Sequence, residues 1–273
     1  GTDTYTAPAG GGSVDVTGWD LTSLQITPPA DSAADFSLSV SSTSTEADGG
    51  DAETVLGNIG ISVTGVADAP TLTPVDVSGA EDTAIPLDIT AGLSDADGSE
   101  VLLVRISDVP EGASLSAGTD MGGGNWSVAP ADLDGLTITP PANSDVDFDL
   151  TVTATSMEDG SSSTVSSSFS VTVTGVADAP DIAAADVTGA EDSAIALDVS
   201  ANFTDTDGSE SMTIEISGIP DGATLSSGTS AIAVVGGIAI VTQDQLANLA
   251  VQPAANDDSD FTLTMTATTS EDG

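Results

Sequence analysis

Asp95-Ala96-Asp97-Gly98-Ser99-Glu100 sets carboxylates at alternating positions around a glycine, and Asp205-Thr206-Asp207-Gly208-Ser209-Glu210 does so again. Calcium takes six to eight oxygen ligands at about 2.3–2.6 Å, and alternating Asp in a turn supplies such oxygens without a helix. The plainer reading is that Asp and Gly simply make good turns. Further acids recur beside these turns and weigh against it: Asp68 and Asp178, Glu81-Asp82 and Glu191-Asp192, Glu158-Asp159 and Glu271-Asp272. The chain holds 44 acidic residues against one basic side chain, Arg105, for a formal net charge of −43. Two unpaired carboxylates about 4 Å apart repel by roughly 4 kcal/mol at an effective dielectric near 20. With no Lys available, any cluster of them needs metal ions or solvent.

The same composition removes whole classes of chemistry. Neutralising nucleic-acid phosphates or docking on an anionic membrane requires Lys and Arg, so neither partner is expected. There is no His and no Cys, which excludes a Ser-His-Asp triad, a thiol nucleophile and a His- or Cys-ligated zinc. Carboxylate pairs such as Glu158-Asp159 could serve glycoside hydrolysis, but nothing distinguishes them among so many acids, and no enzyme activity is expected. Gly122-Gly123-Gly124 reads as a hairpin turn, since a phosphate cradle would need a following helix and a Lys. No apolar run approaches the roughly 18 residues of a membrane helix. With 39% hydrophobic residues, the chain has enough apolar side chains to fold.

The elements that must position these acids come in repeats. Thr64–Pro70, TGVADAP, returns at Thr174–Pro180, an offset of 110 residues (174 minus 64). The same offset carries Ala80–Asp82 onto Ala190–Asp192, and Val109–Thr119 onto Ile219–Thr229. Leu21–Pro29 matches Leu133–Pro141 and Leu246–Ala254, and the triplets ending at Phe36, Phe148 and Phe261 follow in step. Residues 1–66 therefore read as the back part of one repeat, 67–176 as a complete repeat, and 177–273 as a third lacking its last strand. The chain opens inside a repeat and reads as a segment of a longer protein. Tandem units each bury their own core and mainly meet their neighbours, which predicts an extended rod.

Within the complete repeat, Phe148, Leu150, Val152 and Ala154 alternate with Asp and Thr, and Phe169, Val171 and Val173 alternate with Ser and Thr. Period two with one wet face marks half-buried strands. Further strands are expected near 72–77, 85–89, 101–107, 126–128 and 136–139, with a single helical turn at 130–133, where Pro130 and Asp132 suit a helix start. About seven short strands in some 110 residues predict an all-β Greek-key sandwich. Trp126 is expected in a core, and Trp19 partly exposed.

The VADAP linker, the Glu-Asp pair about a dozen residues later, the Asp-x-Asp-Gly-Ser-Glu turn and the LTITPPA to DFDLTVTATS run together resemble the cadherin-like, Ig-like tandem repeats of giant bacterial surface adhesins, including VCBS-type and RTX adhesins. The resemblance covers essentially the whole chain. It implies calcium at the junctions between successive sandwiches, stiffening a secreted stalk that projects a distal domain for adhesion or biofilm formation at the bacterial surface. Asp95 and Asp97 then resemble ligands reaching back to Asp68, and Asp205 and Asp207 ligands reaching back to Asp178, with Glu100 and Glu210 completing the turns. Glu81, with Asp82, resembles the early acid that faces the following junction, and Glu158 and Asp159 stand where an acidic turn lies at that same pole. Glu191 and Asp192 repeat the pair, and Glu46 to Asp48 would be the acidic turn of the first junction. The linker carries fewer acids than a cadherin linker, so fewer or weaker ions are expected. The alternative partner is another copy of the chain, through homophilic contacts or assembly into an extracellular filament or sheath.

Overall fold

Alternating apolar and hydroxyl side chains, broken by Gly, Asp and Asn at positive φ, leave this chain little choice but short strands joined by turns. The computed structural model describes residues 3–95, 97–205 and 208–271. The chain divides into two compact units, one made of Gly1–Asp68, Leu93–Val101 and Ser156–Ser163, the other of Ala69–Gly92, Leu102–Thr155 and Thr164–Gly273.

The first unit contains an antiparallel hairpin, β1 (Phe36–Thr45) and β2 (Ala52–Ile61), in register from Phe36↔Ile61 to Thr45↔Ala52. The Glu46 N–H donates to the Asp51 carbonyl at 2.8 Å where the chain reverses. Val40, Val55, Leu56 and Ile59 are exposed on this hairpin, and neither buried apolar cluster described below takes a residue from it.

Residues 67–176 form β3 (Thr71–Val75), β4 (Val77–Ala80), β5 (Ile85–Pro86), β6 (Asp88–Gly92), β7 (Val101–Ser107), β8 (Ser114–Leu115), β9 (Thr119–Gly122), β10 (Asn125–Val128), β11 (Thr137–Thr139), β12 (Phe148–Glu158) and β13 (Ser161–Thr174), most of whose residues belong to the second unit. Sheet orders are β4-β13-β12-β7-β10-β9, β5-β11-β8 and β3-β6. Strands far apart in sequence are neighbours, β4 with β13 and β7 with β12, as a Greek-key sandwich requires. Ile85 and Ile138 from one sheet meet Val104, Ile106, Leu150, Val152, Phe169 and Val171 from the other in a single buried cluster. On the outer face Thr151, Thr153 and Thr155 share hydrogen bonds with Ser168, Ser166 and Thr164 at 3.0, 2.9 and 3.1 Å. Trp126 packs against the cluster while half-buried, and Trp19 is half-buried too. The expected helical turn is a 3-10 turn at Pro130–Asp132. β8 and β9 were not legible in the pattern, because two apolar residues at most mark each.

The following repeat contributes β14 (Asp181–Ala185), β15 (Ile195–Ala196), β16 (Asp198–Asn202), β17 (Glu210–Ser217), β18 (Thr224–Ser227), β19 (Ser230–Ile232), β20 (Ile238–Val241), β21 (Leu249–Gln252) and β22 (Thr264–Glu271). It adds α1 (Gln243–Leu246), whose Thr242 and Gln245 form a capping box. Its own buried cluster gathers Ile214, Ile216, Leu225, Ala239, Leu249 and Val251. The chain is thus all-β, with each buried cluster drawn from one repeat.

Two strand pairings decide where the acids go. β4 runs parallel to β13, from Val171↔Val77 to Thr174↔Ala80, and the Glu81 N–H donates to the Thr174 carbonyl at 3.0 Å. β17 runs antiparallel to β22, from Glu210↔Glu271 to Ser217↔Thr264, so the start of one strand faces the end of the other.

Ile138, fully buried, tests the sandwich core: Ile138→Ala should destabilise by about 2–5 kcal/mol, whereas Leu103→Ala, at a side chain 50% exposed, should change stability by about 0.5 kcal/mol or less. Chemical denaturation of both variants in matched buffer checks the contrast.

Candidate cation sites

Strand ends deliver the acids, and turn chemistry holds them. Asp95 follows β6 and is buried; its carboxylate accepts the Asp97 N–H at 2.8 Å, and Asp97 in turn accepts the Ser99 N–H at 2.8 Å, together with the Ser99 hydroxyl. These are Asx-type turns, in which the side chain replaces a backbone acceptor. Asp97 also accepts the Ala33 N–H at 3.2 Å. The Ser99 hydroxyl first, then the Ser99 and Ala33 N–H groups, hold the Asp97 carboxyl below its ordinary value. What that contributes to stability is fully present above the ordinary carboxylate value and is lost as pH falls through the lowered one.

Glu158 ends β12, buried, and joins the Asp95 turn. One carboxylate oxygen from each of Asp95, Asp97 and Glu158 lies within 4.8 Å of the other two. A second group does the same with Glu81, Asp205 and Glu271. Oxygens ligating one calcium lie at most about 5.2 Å apart, twice the upper bond length, so both groups are of a size to share one ion. Each pair at such a distance repels by roughly 3–4 kcal/mol at an effective dielectric near 20. No ion pair to Arg105 relieves them among the described residues; its guanidinium bonds the Asn125 side-chain oxygen instead.

Orphaned oxygens strengthen the fit to a cation. Glu158 Oε1 and Glu100 Oε2 are buried without a hydrogen-bond partner, as are Glu210 Oε2 and both carboxylate oxygens of Glu271. Glu158 is only 5% exposed and Glu100 8%. A buried carboxylate oxygen with nothing to bond carries a penalty of several kcal/mol that a hard cation would remove. The donor set is all oxygen, which suits hard cations such as calcium, magnesium and manganese.

The linker acts through its backbone more than through its acids. The Asp68 N–H donates to Glu100 Oε1 at 2.5 Å, and its carbonyl accepts the Ser156 hydroxyl. One repeat on, the Asp178 N–H donates to Glu210 Oε1 at 2.5 Å, and its carbonyl accepts the Thr269 hydroxyl. Neither Asp68 nor Asp178 joins a three-acid group among the described residues. Asp82 and Asp192, at φ 53° and 57°, are exposed and brace loops, accepting the Asn143 and Asn256 N–H groups at 3.0 and 2.8 Å. Glu191 is exposed, and Glu46 to Asp48 lie exposed at the tip of the β1–β2 hairpin. Asp207 lies outside the described residues.

One expectation is corrected. The resemblance set Glu158 and Asp159 at the pole of Glu81, but Glu158 groups with Asp95 and Asp97, and Asp159 accepts the Gly65 N–H at 3.0 Å. Strand direction explains it. Glu81 follows β4, which runs parallel to β13 and so ends where β13 ends. Glu158 closes β12 just before the chain turns into β13, which puts it at the opposite end of that strand. The residue that does stand with Glu81 is Glu271, the counterpart of Glu158 one repeat later. The sequence shows it in the recurring pair Glu271-Asp272, at an offset of 113 (271 minus 158), but assigns it no ligand role, because its meeting with Glu81 depends on strand pairing across the repeats.

No family model matches the chain, and no curated protein matches it. Among solved structures it is similar to the titin domains Z1Z2 in complex with telethonin, at 12% identity over 76% of this chain and 96% of that one, TM-score 0.27. It is similar to the C-terminal domain of the Streptococcus agalactiae AgI/II polypeptide BspA at 11% identity over 74% and 96%, TM-score 0.23. The D00-D0 domain of intimin aligns at 16% identity over 74% and 93%, TM-score 0.24. At these identities and scores the likeness says nothing about activity or partners.

Removing one charge separates repulsion from ligation. In chelator, Glu158→Gln should stabilise the protein by about 1–3 kcal/mol, because the amide keeps the shape and drops the like-charge term. In millimolar calcium the sign should reverse. Thermal unfolding of parent and variant in both buffers reads the reversal directly.

Proposed function

We propose that this chain is an extender segment of a large secreted bacterial surface adhesin, in which calcium held by the carboxylate groups ties successive β-sandwich repeats together. The single observation that carries the calcium part is the meeting of Glu81 from one repeat with Asp205 and Glu271 of the next, in a chain with one basic side chain. The Asp95, Asp97 and Glu158 group, with buried orphan oxygens on Glu158 and Glu100, supports the same reading. The adhesin part rests on the sequence resemblance.

The residues present fit the ion. Asp95, Asp97 and Glu158 would hold it in one group, and Glu81, Asp205 and Glu271 in the other; Glu100 and Glu210 stand beside them, anchored by the Asp68 and Asp178 N–H groups. A bound divalent cation supplies positive charge that cancels the carboxylate repulsion. The protein's own part is to present the acids. Paired strands fix the glutamates, Asx turns fix Asp95 and Asp97, and the linker backbone holds its place through one N–H and one carbonyl. The function is mechanical: the cation removes a repulsion that would push neighbouring repeats apart, and with it the freedom of the linker.

Thermal unfolding of the chain in EDTA, in millimolar calcium and in magnesium at matched ionic strength tests this. A rise in midpoint selective for calcium is expected, since a ligand present at about 100 times its Kd adds roughly 2.7 kcal/mol. Equal midpoints in the two cations would overturn the reading. In calcium, Asp95→Ala combined with Asp97→Ala should leave the sandwich cores folded and increase interdomain flexibility in small-angle scattering; unchanged scattering would count against the mechanical role.

A further inference from the structure

The glycine of each TGVADAP segment stands where a glutamate of the following repeat needs room. A Cβ built on Gly65 would overlap the Glu158 carboxylate and come within 2.6 Å of its Cγ; a Cβ built on Gly175 would lie 2.5–2.7 Å from Oε1, Cδ and Cγ of Glu271. Real Cβ atoms essentially never come so close. Neither glycine has positive φ, so the backbone would accept any residue and the requirement is space alone. Other glycines of the same stretch lack this property: Gly57 and Gly60 on β2 have nothing within 4 Å of a built Cβ.

We propose that Gly65 and Gly175 are positioning residues of the two cation sites, each leaving the gap that seats the third carboxylate, Glu158 or Glu271, against the Asp turn. The proposal rests on the calcium reading above and adds residues that carry no ligand atom to its sites. Gly65 contributes twice, because its N–H also fixes Asp159 at 3.0 Å, so both acids of the Glu-Asp pair are set by one residue. The obstructed group is the end of a flexible side chain, not backbone. In an alanine variant the glutamate can swing aside at little cost to the fold, and the acid group loses its third member. A purely structural glycine would behave the other way, harming the fold with or without metal.

The test uses the whole chain carrying Gly65→Ala and Gly175→Ala, titrated with calcium chloride by calorimetry and unfolded thermally in chelator. Calcium affinity should fall by about tenfold or more, in the range that loss of an orienting neighbour causes at metal sites. The midpoint in chelator should stay level or rise, since repulsion is relieved. Adding Glu158→Asp and Glu271→Asp, whose shorter side chains draw back from the new methyl groups, should recover part of the affinity, and Gly57→Ala should change neither quantity. Unchanged affinity in the double alanine variant would overturn the proposal. So would a drop in the chelator midpoint as large as the drop in calcium, which would mark the glycines as structural. A parent chain that binds no calcium would instead overturn the reading beneath it.

Discussion

Repulsion among carboxylates that the backbone brings together is the constraint on which the rest of this structure turns. Strand pairing does the gathering: β17 against β22 opposes Glu210 and Glu271, and β4 against β13 carries Glu81 to the end of its sheet. The backbone at these acids cannot shift far without breaking a ladder of hydrogen bonds, each of which is costly to leave unmade once buried, although the side chains keep their own rotamers. With a single Arg in the chain, the usual relief by ion pairing is absent by composition. The protein therefore assembles a folded state whose strand ends carry grouped carboxylates that no ion pair to Arg105 offsets among the described residues.

The division between sandwich interior and strand ends follows from this. The two buried clusters are almost wholly Ile, Val, Leu and Ala, with no buried charge among them, and on β12 and β13 the outer face carries Ser and Thr hydroxyls that satisfy one another across strands. Such interiors owe nothing to ions. The acids sit where strands stop and turns begin, and there Asp is useful twice, as a turn former and as an oxygen donor. Placing the grouped acids at the ends keeps their mutual repulsion away from the apolar clusters, so the proposed cation role and the packing of the sandwiches are separable.

Much of the fold was legible because period-two alternation is a local signal: Leu150, Val152 and Ala154 announce their strand and its inner face without help from anything distant. The Asp95 turn was legible for the same reason, since Asx turns need only neighbours. The grouping of Glu158 was not, because it depends on the direction in which β12 runs relative to β4 and β13, which no local pattern records. Glu271 was visible as the counterpart of Glu158, but its grouping with Glu81 was not, because that too depends on strand pairing. Gly65 and Gly175 were visible only as part of a repeated string; that a missing side chain could matter through space, and not through conformation, becomes apparent only when the glutamate beside it is in place.

Glu81 and Glu191 show how little the residue alone decides. Both follow an alanine in the same Ala-Glu-Asp string, yet Glu81 is 2% exposed and grouped with Asp205 and Glu271, while Glu191 is exposed. Nothing in the two local sequences accounts for the difference. What differs is the company: Glu81 meets the Asp turn and the glutamate of the repeat that follows it. In the Glu81, Asp205 and Glu271 group the acids come from two successive repeats, whereas Asp95, Asp97 and Glu158 all come from one, so the same kind of grouping is reached with and without a neighbouring repeat.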